Sequence, residues 1–206
     1  FLRFIVFIKS KSLRNLSFLI SIIFLINLFY MIYSSFFIVK NQFTDIGDST
    51  YVNQVRIDDY TKKLAVFLTK DCKEEPICEV QNMLDFVTQI PYKINESIAK
   101  SPKKVVEQNF GDCDDKSNLL ISLLKVKDYE AYFVLVPNHI FVIINLEDIN
   151  LNKKALYVNN KRYYILETTA TNSKIAFPLK YKIEEIEAII NPFTNKKLVI
   201  ESLEYK

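Results

Sequence analysis

QNFGDCDDKSNLLISLL, residues 108–124, holds one of only two glycines in a chain of 206 residues, then a cysteine set between acids, then a run with helical periodicity. Leu119, Leu120, Leu123 and Leu124 fall on one stripe, which predicts a helix over 114–125. Asp112 is the expected N-cap, with Asp115 at N3. Cys113 therefore falls at a helix N-terminus. A cysteine attacks as its thiolate, and unpaired N–H groups at a helix start favour that charge. Gly111 is read as a tight turn that leaves room for a substrate just before the sulfur.

A helix N-terminus alone shifts a thiol modestly, and an imidazole is the usual second element. The chain has one histidine, His139, which opens the stretch HIFVIINL after Pro137-Asn138. That stretch reads as a strand. Phe141, Ile143 and Asn145 share the histidine's face, and Ile140, Val142 and Ile144 share the other. The imidazole needs an orienting partner, and Glu167 in YYILETT is a carboxylate at the end of an otherwise apolar strand. Cys113, His139 and Glu167 are the expected nucleophile, base and orienting acid. Taken singly, each also reads as a buried small residue, a satisfied polar group or a solvated strand end.

A formal charge of +3, with no basic stripe interleaved with aromatics, argues against nucleic acid as a partner. Abundant Lys, Ile, Asn and Phe with scarce Gly reads as a compositional bias without functional content. Residues 16–39, LSFLISIIFLINLFYMIYSSFFIV, carry no charge. At about 1.5 Å per residue they cover roughly 36 Å, enough for a hydrocarbon core of about 30 Å, so a transmembrane helix is expected there. Arg3, Lys9, Lys11 and Arg14 precede it and no acid appears before Asp45. By the positive-inside rule, residues 1–15 are a short cytoplasmic N-terminus and the rest is exported, periplasmic or extracellular. A cleaved signal peptide and a buried core helix are the competing readings. Against the first stand the length and the want of a small-residue cleavage site, the first alanine being Ala65. The chain begins at Phe1, which suggests a missing N-terminus.

In an exported compartment Cys72 and Cys78, close together in DCKEEPIC, are candidates for a local disulfide, leaving Cys113 free; two reduced thiols are the alternative. Residues 40–59 read as a linker and 60–206 as one domain. Helices are expected over 60–69 and 78–90, the second ended by Pro91, and residues 92–104 read as a polar loop. YEAYFVLVP, HIFVIINL, KALYVNN and RYYILETT read as strands, with a turn at Asn159-Asn160; 183–190 is a candidate short helix, and KKLVIESLEY a last strand. Helices followed by a mainly antiparallel sheet make an α+β domain.

GDCDDKSNLLISLLKVKDYEAYFVLV resembles the transglutaminase-like superfamily, including its bacterial cysteine proteinases: a G-D-C-x-D helix, a turn and a first strand. HIFVII resembles that family's H-x-W strand with Phe141 at the aromatic position, and YYILETT its strand ending in an acid followed by x-Thr. The resemblance covers about residues 80–169. It implies a papain-like α+β core, with the cysteine helix packed on an antiparallel sheet. It implies acyl transfer at amides of proteins or peptides, with Cys113 as nucleophile, His139 as general base and acid, and Glu167 orienting the ring. The oxyanion would be held by the Cys113 N–H and by Gln108 or Asn109. Relatives that bind calcium near this helix make Asp112, Asp114 and Asp115 candidate ligands; no other cofactor is implied. The sequence departs from the pattern in having Glu167 where Asp is commoner, Asp128 where the turn has glycine, and no tryptophan. Two functions are expected from this reading: a membrane-anchored thiol enzyme, most simply a protease or amidohydrolase, or an inactive domain serving as a cell-envelope binding or assembly module.

Overall fold

Helix α1 spans Lys11–Gln42. In this computed structural model, which describes residues 11–45, 50–94, 99–147 and 151–206, its apolar side chains are exposed, and Lys11–Ile38 is long and apolar enough to cross a membrane. Its serines do not interrupt it, because Ser21 and Ser35 donate to the carbonyls of Ser17 and Met31 one turn back, at 3.0 and 2.9 Å. Arg3, Lys9 and Gly47 lie outside the described residues. Phe1–Asn41 and Gln42–Lys206 form two separate units.

In the second unit a short antiparallel pair, β1 (Phe43–Asp45) and β2 (Thr50–Val52), comes first. The stretch expected as linker is in part packed. Tyr51 is buried and tilts onto Phe133 at 5.2 Å, and the Gln54 and Arg56 amides donate to Asn118 Oδ1 and Ser122 Oγ. Polar side chains on the next-but-three helix thus supply acceptors that a linker's composition does not reveal.

Four helices follow: α2 (Asp59–Thr69), α3 (Pro76–Gln89), α4 (Pro102–Gln108) and α5 (Cys113–Val126). Asp58 caps α2 with Thr61 reciprocating, and α3 starts on Pro76, whose missing N–H costs nothing at that position. A disulfide joins Cys72 to Cys78 across the α2–α3 turn, with Cα atoms 5.4 Å apart. Helix α4 lies in part of the segment read as a polar loop. Its inward anchors are Pro102 and Val105, with Val106 packed against the core beside them, so packing and not periodicity makes it a helix. On α5 the predicted stripe is buried throughout, and the chain leaves it through Asp128 at φ 58°, the left-handed geometry that the turn requires.

Seven antiparallel strands then form one sheet in the order β8-β7-β3-β4-β6-β5-β9. They are β3 (Ala131–Val136), β4 (His139–Ile144), β5 (Leu156–Val158), β6 (Lys161–Leu166), β7 (Ala188–Asn191), β8 (Lys196–Lys197) and β9 (Leu203–Tyr205). The turn at Asn159-Asn160 has both residues at positive φ, as a two-residue hairpin demands. Residues 183–190 do not make the expected helix. Only Ile183–Glu185 takes a 3-10 turn, because Ile189 and Ile190 are drawn into register with Val134 and Phe133 as β7. The last expected strand is split into β8 and β9.

Each sheet face has its own core. Ile140, Val142 and Ile144 of β4 join Leu119, Leu120, Leu123 and Leu124 of α5. Phe141 and Ile143 point the other way, onto a second cluster covered by Phe177, Leu179, Tyr181 and Ile186. Full burial of each such side chain contributes about 1.5–3 kcal/mol. The alternation that defines these faces is the one the sequence shows.

Candidate active site

Asp112 caps α5 by accepting the Asp115 amide at 3.1 Å, and Cys113 is the first helical residue. Gly111 does not adopt a left-handed backbone; its lack of a side chain serves packing. A Cβ there would stand 2.8 Å from Asp115 Cβ, so the first turn of α5 can close against the preceding chain only over glycine. Asp115 itself is fully buried, accepting the Lys100 amide and pairing with Lys100 Nζ at 3.4 Å.

His139 begins β4, and Glu167 follows β6, the neighbouring strand. The register Val142↔Leu166 carries the two side chains to the same end of the sheet. His139 Nε2 lies 2.9 Å from Glu167 Oε2. The other carboxylate oxygen, Oε1, accepts the Thr169 amide at 2.9 Å and its hydroxyl at 2.6 Å. Burial acts to raise the Glu167 carboxyl, but His139 and Thr169 more than offset it and hold it below its ordinary value. An ionised carboxylate only accepts, so Nε2 carries a proton toward Glu167.

Two observations place Cys113 near this pair. The Asp114 carboxyl, next in the chain, lies within electrostatic reach of His139, and Ser117, one turn along α5 from Cys113, has its hydroxyl 3.3 Å from that of Thr168, next to Glu167. Cys113 is half-buried and is the one cysteine outside the disulfide.

The electrostatics at the sulfur run against the expectation of an activated thiol. Burial foremost, then the charges of Asp114 and Asp112, push the Cys113 thiol up to about 12, against weaker help from the amides of Ile140 and Asp114. Asp114 Oδ1 stands 4.0 Å from the sulfur. The Asp114 carboxyl is itself pushed up to about 6 by burial, then by Asp112 and Asp115. The helix N-terminus is present, but burial first, and then the nearby acids, outweigh it.

Gln108 and Asn109 are exposed at the end of α4, where Asn109 is its left-handed cap at φ 53°. The calcium expectation for Asp112, Asp114 and Asp115 is not supported by the arrangement. Asp112 is the helix cap and Asp115 is taken by Lys100, and among the described residues no group of three acidic, histidine or cysteine side chains is placed to hold a metal ion.

The sequence reading missed three tyrosines. Tyr51, Tyr92 and Tyr181 all lie within electrostatic reach of Cys113, and each hydroxyl is held above its ordinary range, chiefly by burial. Tyr181 lies stacked on His139 at 6.0 Å. Only for Tyr92 was there a signal, its place just after the helix-ending Pro91; the others come from distant segments.

No family model and no curated protein matches the sequence. Solved structures with similar backbones include a candidate cysteine protease from Cytophaga hutchinsonii, at 17% identity and TM-score 0.40, which covers 57% of this chain and 41% of its own. EGTA-treated LapG of Legionella pneumophila aligns at 14% identity and TM-score 0.42 over 61% of this chain and 77% of its own. A candidate protease from Parabacteroides distasonis aligns at 14% and 0.45 over 69% and 27%. This chain thus spans less than half the length of the first and third. At these TM-scores the likeness carries no conclusion about activity, which rests on the site.

Proposed function

We propose that this chain is a membrane-anchored cysteine enzyme of transglutaminase-like type, with a papain-like core, that cleaves amide bonds of exported proteins or peptides through a thioester. The observation that carries the reading is the His139–Glu167 hydrogen bond at 2.9 Å, with Ser117, one turn along α5 from Cys113, 3.3 Å from the Thr168 hydroxyl beside that carboxylate. Helix α1 is the anchor, with the N-terminus cytoplasmic and 42–206 on the exported side.

In this mechanism the Cys113 thiol gives its proton to His139 Nδ1 as sulfur attacks the substrate carbonyl carbon. Glu167 stabilises the imidazolium that forms. The Cys113 N–H, at the first helical position and without an acceptor in its own helix, faces the oxyanion. Collapse breaks the C–N bond while His139 returns the proton to the leaving amine. Water then attacks the thioester, again giving a proton to His139, and releases the acid and the free thiol. Because the thiol rests protonated, attack and proton transfer occur together rather than from a standing thiolate.

The raised thiol also favours a second reading, an inert domain that binds partners in the cell envelope. One experiment separates them. The full chain in detergent is mixed with peptide esters and amides, and the Cys113 peptide is examined by mass spectrometry. An acyl adduct on Cys113, absent in His139→Ala, is the expected result. No adduct with any substrate, together with equal iodoacetamide rates in wild type and His139→Ala, sinks the enzyme reading.

A further inference from the structure

We infer that Tyr181 is a positioning residue that fixes the His139 ring; this rests on the reading of His139 as the base. One hydrogen bond to Glu167 leaves the imidazole free to tilt about the Nε2···Oε2 line. The Tyr181 ring removes that freedom. It lies 21° from the plane of His139, with centroids 6.0 Å apart, and also stacks on Phe141, at 11° and 6.4 Å. His139 and Phe141 are two apart on β4 and so present side by side on the outer sheet face, where one aromatic ring spans both.

The segment bearing Tyr181 is tied on both sides. The Phe177 amide donates to Ile165 O and the Leu179 amide to Tyr205 Oη, each within 3.1 Å, and the 3-10 turn Ile183–Glu185 follows. A small apolar cleft lined by Phe141, Ile165, Glu167, Phe177 and Tyr181 adjoins the carboxylate. Nothing in PLKYKIEE, residues 178–185, marks this role; it follows from the strap's crossing of β4.

The plainer account is that Tyr181 only covers the outer core cluster. The two accounts separate on the state of His139, which gives a single set of imidazole signals because the chain has one histidine. Long-range 1H–15N spectra of the full chain in detergent report its tautomer, and iodoacetamide rates across pH report its coupling to Cys113. With Tyr181→Phe, the Nε2–H tautomer and the pH–rate profile remain as in wild type, within twofold. With Tyr181→Leu, which keeps apolar cover but not the flat ring, the tautomer signals average or broaden, and the profile changes shape with at least a fivefold loss near pH 7. Tyr181→Ala does the same with a larger loss of melting temperature. A folded Tyr181→Leu with wild-type tautomer and profile overturns the inference. Should alkylation prove independent of His139 in His139→Ala, the enzyme reading fails, and the tautomer spectra still decide the role of Tyr181.

Discussion

The two ends of the candidate site are built on opposite electrostatic plans. At the Glu167 end a carboxylate is met by a ring N–H, a backbone N–H and a hydroxyl, and its charge is favoured despite burial. At the Cys113 end a thiol shares a helix start with Asp112 and Asp114, and both the thiol and Asp114 are driven toward their neutral forms. His139 and Glu167 are paired at rest, while the Cys113 thiol is held toward its neutral form. A buried group settles as an ion only where enough donors converge on it. On the proposed mechanism the reacting charge therefore develops during attack.

The largest effect is expected from Glu167→Gln, which keeps the shape and removes the charge that fixes the ring. Cys113 alkylation near pH 7 should fall by about 100-fold, the low end of general-base contributions. The change also tests stability. A carboxyl with a lowered folded pKa contributes stability above its unfolded value of about 4.3 and loses it as pH falls through the folded one. Acid denaturation should thus lose part of its pH dependence below about pH 4 in the variant.

Asp114→Asn attacks the other end. With one raising charge removed, the thiol should move down from about 12, and alkylation at fixed pH should rise about tenfold for each unit of that fall. Stability runs opposite to Glu167. Asp114, raised to about 6, penalises the fold above that pH and ceases to do so as pH falls toward about 4. The variant should be more stable than wild type by about 1–3 kcal/mol at pH 7.5 and equal to it near pH 4. A constant gain at both pH values would refute the electrostatic account.

Gly111→Ala probes what holds the acids in place. Its Cβ meets Asp115 Cβ at 2.8 Å, so urea midpoints should show a loss of about 1–3 kcal/mol, typical of overpacking. A last effect, confined to alkaline pH, concerns Lys116, buried with Nζ on the Ile90 carbonyl at 2.8 Å and lowered to about 8 by burial. A depressed lysine burdens the fold below that pH. Stability should therefore gain between about pH 8 and 10.5, and Lys116→Met should flatten that rise.

Much of this comparison was legible in the sequence, and the limits are instructive. Local signals held: the Asp112 cap, the leucine stripe of α5, the face alternation of β4, the turn at Asn159-Asn160 and the Cys72–Cys78 pair. Long-range ones did not. Helix α4 depends on burial of Val105, β7 on register with β3, and Tyr181 on a strap whose course no periodicity encodes. The direction of the thiol shift was in principle readable, since Asp112 and Asp114 flank Cys113 in the chain; burial, its first cause, was not.

The turns carry a last consequence. Asn109, Asn138, Asn159, Asn160, Asn172 and Asn195, with Asp128, all take up left-handed backbone in a chain with two glycines. Asparagine reaches that region with less strain than other side-chain-bearing residues, while leaving the unfolded chain fewer states than glycine would. The asparagine excess is therefore a way of making hinges stiff. Swapping these positions for glycine would ease each turn yet loosen the denatured ensemble, so the two effects oppose each other.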